Sequence, residues 1–286
     1  MIYKFMAAHE SEFRIQCMCR VLGVGRSGYY AWCSRSASQR VQEDEVLLVK
    51  IQQEYQISRG TYGSPRIHAA LQRQGVKCSQ KRVARLMRLH KITGRKRQKR
   101  RPVTTQRDPG AIPASNLLNQ EFYASAPDQK WVSDITYIET AEGWLYLASI
   151  LDLFSRRVVG WAMADHMEAS LVEDALKMAL QQRQPEAGLL HHSDQGRQYT
   201  SVAYQNRLAN AHCQVSMSRT GNCYDNAAME SFFGTLKTEC ATQPFATRAQ
   251  ARTAIFEFIE AWYNRQRLHS SLDYRSPMEF EQKSRH

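Results

Sequence analysis

Residues 129–164 read QKWVSDITYIETAEGWLYLASILDLFSRRVVGWAMA, and the fold turns on how they pair. QKWVSDITYI alternates polar with apolar, β-branched side chains, the period of a half-buried strand. GWLYLASILDLFSRRVVGWAMA reads as two further strands joined through Asp152 to Arg157. Downstream the pattern changes to alternation of element types. SLVEDALKMALQQR (170–183) is an amphipathic helix and GLLHHSD (188–194) a short strand ending in an acid. VAYQNRLANAH (202–212) is a helix and CQVSMS (213–218) a fifth strand, and DNAAMESFFGTLKTEC (225–240) and RAQARTAIFEFIEAWYNRQR (248–267) close the chain as helices. Three strands followed by alternating helix and strand predict an α/β sheet of the RNase H-like order.

Three acids stand on that framework. Asp134 falls inside the first strand, where an ionised side chain is costly unless it is paired, metal-bound or at a solvent-facing rim. Asp194 follows the strand GLLHHS, at the carboxyl end where open α/β sheets place ligands. Glu230 lies in the helix opened by Asp225-Asn226, and Asn226, Phe233 and Lys237 share its face at i−4, i+3 and i+7. Each alone has an ordinary structural role, as a strand end, a turn cap or an exposed helical acid. Together they suit phosphodiester chemistry, in which two Mg²⁺ ions about 3.5–4 Å apart activate an attacking oxygen and stabilise a leaving one. Hard cations of this kind take oxygen ligands and keep several waters, so three carboxylates suffice. No His/Cys zinc set or nucleophile elbow competes with them.

Upstream, charge is the informative property. Between Tyr55 and Arg107 there are 16 Lys and Arg and no acid; the whole chain carries +12, so the remainder sums to −4. A basic excess so concentrated suits a polyanion, because each neutralised phosphate releases counterions. Residues 43–92 read as three helices. The second, YGSPRIHAALQRQG, is expected to start with Ser64 as N-cap and Pro65 at its first position. The third, SQKRVARLMRLHKI, starts at Ser79 and has Val83, Leu86, Met87 and His90 on one buried face, with Lys81, Arg82, Arg85 and Arg88 beside it. A short helix, a Gly turn and a basic helix form a helix-turn-helix pattern whose last helix can enter a major groove. Arg95, Lys96 and Arg97 open a basic linker suited to phosphate contact.

The predicted organisation is therefore a short N-terminal helical segment (1–35) packed on the neighbouring helices, a helix-turn-helix DNA-binding domain (43–93), a basic linker (94–125) and the α/β core with a helical tail (126–286). Hydrophobic residues make up 43% of the 286, enough for a core. No apolar run approaches about 18 residues and no secretory signal is evident at the start, so a soluble cytoplasmic protein without membrane contact is expected. Seven cysteines, none in a C-x-x-C pair, signal neither a disulfide frame nor a zinc ribbon.

WVSDITYI, LDLFSRRVVGW, HHSDQGRQYTS and DNAAMESFFGTLKTE, with 35 residues between Asp194 and Glu230, strongly resemble the insertion sequence 3 family of bacterial transposases, specifically its second-frame product (OrfB) with a retroviral-integrase-like DDE core. YNRQRLHSSLDYRSPMEF, RGTYGSPRIHAALQ and LGVGRSGYYAW resemble the family's C-terminal and upstream motifs. The resemblance implies a DNA transposase that cleaves at an element end and transfers the freed 3′-hydroxyl, with Asp134, Asp194 and Glu230 as catalytic, metal-binding acids. It implies two Mg²⁺ ions, with Mn²⁺ as a substitute. Lys237 would contact the DNA end, and His192, Gln195, Gly196, Tyr199 and Asn226 would shape the site around the acids. Asp152 resembles the acid of the family's second-strand hairpin, and whether it touches metal is left open. DNA ends and target, a homo-multimer on DNA, a first-frame partner and a nucleoid-associated cytoplasmic location are implied by the same resemblance. A nuclease without strand transfer and a non-catalytic DNA-binding accessory protein are the alternatives.

Overall fold

The computed structural model describes residues 1–36, 38–96, 113–219 and 223–284. Arg97 and the rest of the basic linker through residue 112 lie outside the described residues. The chain divides into two compact units, Met1–Gln52 and Gln53–His286.

The first unit contains α1 (Ile2–Ala8), α2 (Ile15–Val21), α3 (Arg26–Cys33) and the start of α4 (Gln39–Ile57). Helices this short are unstable alone. They are held by a small core of Met6, Met18, Cys19 and Tyr29, against which Tyr3 and Trp32 pack. The Tyr29 ring centroid lies 6.1 Å from that of Tyr3 and 6.3 Å from that of Trp32. The segment thus has a core of its own. The polar stretch that follows α3 is short, because α4 already begins at Gln39.

The second unit opens with the end of α4, α5 (Ser64–Arg73) and α6 (Gln80–Leu89). Ser64 is not the cap of α5. Gly63 takes that position in extended conformation, and Pro65 sits in the first turn, where a missing N–H costs nothing. Ser79 does cap α6, its hydroxyl accepting the Arg82 N–H. Val83, Leu86 and Met87 are buried as expected, whereas His90 is exposed. His90 is the C-cap, with φ −98 and ψ 15, so the helical period has ended before it can point inward. Lys81, Arg85 and Arg88 are exposed and Arg82 half-buried.

The sheet comprises β1 (Lys130–Thr140), β2 (Gly143–Asp152), β3 (Val158–Ala164), β4 (Leu190–Ser193) and β5 (Gln214–Met217) in the order β3-β2-β1-β4-β5. The first three strands are antiparallel, and β1–β4 and β4–β5 are parallel. Parallel neighbours need crossovers, which α7 (Ala169–Arg183) and α8 (Val202–Asn210) supply. Side chains alternate between faces along each strand. Trp131, Ala148 and Ile150 form one buried face with Leu171, Val172 and Leu176 of α7 and Tyr204 and Leu208 of α8. Alternate residues Val132, Ile138, Leu145, Leu147 and Leu151 are buried on the other face. There α9 (Ala227–Glu239) packs on β1, and α10 (Arg248–Phe256) packs on β1 and β2. Each large side chain buried this way contributes roughly 1.5–3 kcal/mol.

The helix expected over 248–267 changes character midway. After α10 it continues as a π-helix over Glu257–Tyr263, in which Phe258, Ile259, Trp262 and Tyr263 are buried. The last helix, α11 (Pro277–Ser284), is fixed by Glu281, which bonds Arg183 at 2.8 Å, Arg157 at 3.0 Å and Ser155 at 2.7 Å. No described helix is long and apolar enough to cross a membrane.

Candidate active site

Strand register decides which acids can meet. Asp134 pairs with Ser149, so it shares the face of Val132 and Leu151, towards α9. Val132 lies opposite His192 in the parallel β1–β4 pair. Continuing that register by two residues brings Asp194, just past the end of β4, level with Asp134 on the same face. β4 stops at Ser193 while β1 runs on to Thr140, so both acids sit where the sheet changes from parallel to antiparallel order. Glu230 comes from the first turn of α9.

Electrostatics tie the three together. Burial pushes the Asp134 carboxyl well above the carboxylate range; Asp194 raises it further and Glu230 adds to this. Its own neighbour Ile135, whose N–H donates to Oδ1 at 2.8 Å, opposes the shift, as does Lys237. Asp134, Asp194 and Glu230 are each half-buried. Among the described residues no group of three or more His, Cys, Asp and Glu is gathered closely enough to hold a metal ion as it stands. The acids act on one another's charge without converging on a point.

The surrounding side chains hold this arrangement. Asp194 Oδ1 accepts the Gly196 N–H at 2.9 Å, an Asx-turn that fixes its carboxylate at the strand end. His192 is buried between Ser216 (2.8 Å at Nδ1) and Ser218 (3.0 Å at Nε2). Ser216 already accepts the N–H groups of Leu117 and Leu118, so its single proton goes to Nδ1 and Nε2–H donates to Ser218. Burial lowers His192 to about 4, so it is neutral near pH 7 and ties β4 to β5 rather than moving protons. Gln195 donates to the Ser218 carbonyl at 2.8 Å. Asn226 donates to the Ser133 carbonyl at 3.3 Å, joining the start of α9 to the residue before Asp134. Its buried Oδ1 has no hydrogen-bond partner among the described residues.

Lys237, two turns beyond Glu230, holds its ammonium 4.5 Å from the Tyr137 ring centroid. Tyr199 belongs to the core on the opposite face, its hydroxyl accepting from Ser133 at 3.1 Å. Asp152 is also on that opposite face, since it pairs with Trp131. Its buried carboxylate accepts the N–H of Asp128 and both the N–H and hydroxyl of Ser155, a clasp for the β2–β3 turn. Burial raises it to about 6.

One residue of this region carried no sign in the sequence beyond its place before a helix. Asp225 is fully buried and accepts from Arg219 (N, Nε and Nη2), Asn116 and Gln120 at 2.8–3.1 Å. The Arg219 guanidinium holds its carboxyl well below the usual range. Asn116 and Gln120 belong to the C-terminal part of the 94–125 linker, so Asp225 fastens that segment to the start of α9.

A five-stranded sheet in this order, with acids at its switch point and a third on the helix crossing it, defines an integrase-type polynucleotidyl transferase core. Family comparison agrees: an Integrase core domain family matches residues 124–223, a second Integrase core domain family matches 211–277, and an HTH-like domain family matches 42–100. The chain is 44% identical over 291 residues to the transposase InsF for insertion sequence IS3A of Escherichia coli (strain K12), covering 99% of each. It is 45% identical over 267 residues to the IS600 uncharacterized 31 kDa protein of Shigella sonnei, covering 93% of this chain and 98% of that one. The chain belongs to the IS3 family of transposases. It is thus an enzyme that acts on DNA.

Among solved structures, a simian T-cell lymphotropic virus intasome in complex with the PP2A regulatory subunit B56 gamma is similar at TM-score 0.46 and 16% identity, covering 74% of this chain and 69% of that one. The HTLV-2 integrase catalytic core in complex with magnesium is similar at TM-score 0.43 and 16% identity, covering 56% and 99%.

Proposed function

We propose that Asp134, Asp194 and Glu230 are the catalytic acids of this transposase and hold two Mg²⁺ ions, with Mn²⁺ able to replace them. The observation that carries this is the strand register, which sets Asp134 and Asp194 level on the face that α9 packs against with Glu230 in its first turn; the Asp134 carboxyl is raised by burial and by the other two acids, in keeping with that geometry. Three carboxylates that repel one another and offer only oxygen donors fit a hard divalent cation. When bound there, such ions would stabilise negative charge on the attacking and leaving oxygens of a phosphodiester. The chain's own residues orient the parts. The Asx-turn aims Asp194, Asn226 ties α9 beside Asp134, His192 and Gln195 brace the β4–β5 end, and Lys237 offers its ammonium to the phosphates of an element end.

In the same reading, Lys81, Arg82, Arg85, Arg88, Arg95, Lys96 and Arg97 contact DNA phosphates. Residues 43–93 serve as the helix-turn-helix domain, 94–125 as the basic linker and 126–286 as the catalytic core, after the helical segment 1–35. The enzyme works as a homo-multimer on DNA in the cytoplasm, at the nucleoid, together with a first-frame partner. Joining of labelled element ends to target DNA, by the chain alone and with that partner, tests the metal assignment. Product is expected with Mg²⁺ or Mn²⁺ and none after chelation. Joining that survives complete chelation would overturn the assignment.

Asp225 is a positioning residue in this scheme. Asp225→Ala is expected to slow metal-dependent joining by about 10–100-fold, the range for losing a group that orients metal ligands. The Mg²⁺ concentration for half-maximal rate should rise in parallel. An unchanged metal requirement would reduce Asp225 to a purely structural part.

A further inference from the structure

The C-terminal segment from Tyr263 to Phe280 supplies none of the three acids. We propose that it forms, with the start of α5, a seat for one backbone phosphate of bound DNA. The idea does not depend on which acids are catalytic. A cleft of about 390 Å³ is lined by Arg66, Arg95, Thr61, Ser270 and Tyr274, together with Gly63, Pro65 and Gly94. None of its lining residues is acidic.

The walls are held firmly. A Cβ at Gly94 would stand 2.5 Å from the Gly63 nitrogen and 2.9 Å from its Cα, so only glycine lets these two backbone segments touch. Leu268 is gripped from both sides: its N–H donates to the Tyr62 hydroxyl at 2.7 Å, and its carbonyl accepts from Arg66 Nε at 3.0 Å. Arg73 bonds the Tyr274 carbonyl at 2.9 Å, and a bridge between His269 and Arg275 closes the loop. The Tyr62 ring lies under the Arg66 guanidinium and packs against Trp262.

The charge is unbalanced. Arg66 commits Nε to Leu268, but its Nη1 and Nη2 groups make no hydrogen bond among the described residues. Burial and the nearby Arg267 both draw its guanidinium below the ordinary value, as expected for a cation short of counter-charge. Glu239 is the opposing carboxylate, and it is held by two-pronged bonding to Arg267. The α5 N-cap, Gly63, brings no side-chain acceptor to the helix start. A phosphate diester suits this setting, since a guanidinium fork matches its oxygens and an uncapped helix start favours an anion. DNA, the family's substrate, presents that group at every step of its backbone.

The test is duplex binding by the full chain, read by fluorescence anisotropy across a salt series. Arg66→Gln is expected to make the log–log salt dependence shallower by about 0.9, the loss of one phosphate contact. Binding should weaken alike on element-end and unrelated duplexes, because a phosphate contact carries no sequence preference. Ser270→Asp leaves the Leu268 bonds intact and places a carboxylate at the cleft, so it should give a similar change if Arg66→Gln loses fold. Melting temperatures read alongside separate misfolding from lost contact. An unchanged slope in Ser270→Asp would overturn the proposal. So would a melting temperature raised by inorganic phosphate in the wild type but not in Arg66→Gln, with both DNA slopes unchanged, since the cleft would then hold only a small anion.

Discussion

Asp134→Asn is expected to lower Mg²⁺-dependent end joining by about three orders of magnitude or more while raising the melting temperature at neutral pH. The loss matches the scale seen when a single catalytic group is removed. The gain comes from the sign of the titration. In the folded chain the carboxyl sits well above its ordinary range, because burial and then Asp194 disfavour the charge. A raised folded value means that the protonated form favours the fold; its contribution is full below the ordinary carboxylate range and is lost as pH rises through the folded value. Asn keeps the neutral form at every pH. Its advantage should therefore appear near pH 7 and vanish below about pH 4, where Asp is protonated in folded and unfolded chains alike. Glu230→Gln should lose joining to the same extent with DNA binding nearly unchanged. Undiminished joining in either variant would remove that acid from the catalytic set, and a lower neutral-pH melting temperature for Asp134→Asn would contradict the electrostatics. Function placed above stability is the familiar trade at an active site.

The strands, and the places of the three proposed acids on strand, strand end and helix, were legible in the sequence because both depend on local pattern. Alternation in QKWVSDITYI marks a strand, and an acid inside it is conspicuous against Val132 and Ile135. Ser79 as a cap is equally local, since its partner is three residues away. The features hidden from the sequence are set by distance along the chain. Asp225 looked like an ordinary residue before a helix because its partners Asn116 and Gln120 lie 109 and 105 residues away. Asp152 could not be assigned to a face until the register paired it with Trp131. His90 and Ser64 were misplaced by one turn or one residue at helix ends, where periodicity stops carrying information. The π-helix of Glu257–Tyr263 has the composition of an ordinary helix, so no local pattern announces the wider turn.

The second large effect concerns what keeps Glu230 in place. Glu239 and Arg267 form a two-pronged ion pair with N···O distances of 2.8–3.1 Å, and their side chains are only 7% and 6% exposed. Trp262 Nε1 adds a bond to Glu239 at 3.2 Å, so the end of α9 is fastened to the C-terminal segment. Burial opposes the Arg267 charge, but bonding to Glu239 outweighs it and holds the guanidinium above its ordinary range. Removing one member leaves the other buried without compensation. Arg267→Ala is therefore expected to cost about 3–5 kcal/mol. For a chain of this size that is a fall in melting temperature of roughly 6–20 °C. The double replacement Glu239→Leu with Arg267→Met removes both charges and keeps apolar volume, so it should recover most of the loss. A remainder of about 1 kcal/mol is expected from the Trp262 N–H left without its acceptor. Calorimetric melting of Glu239→Leu, Arg267→Met and the double variant, beside Arg267→Ala, closes the cycle. If the double variant melts as low as Arg267→Ala, the pair contributes through shape rather than charge, and α9 is anchored by the packing of Phe232 on Tyr263 instead.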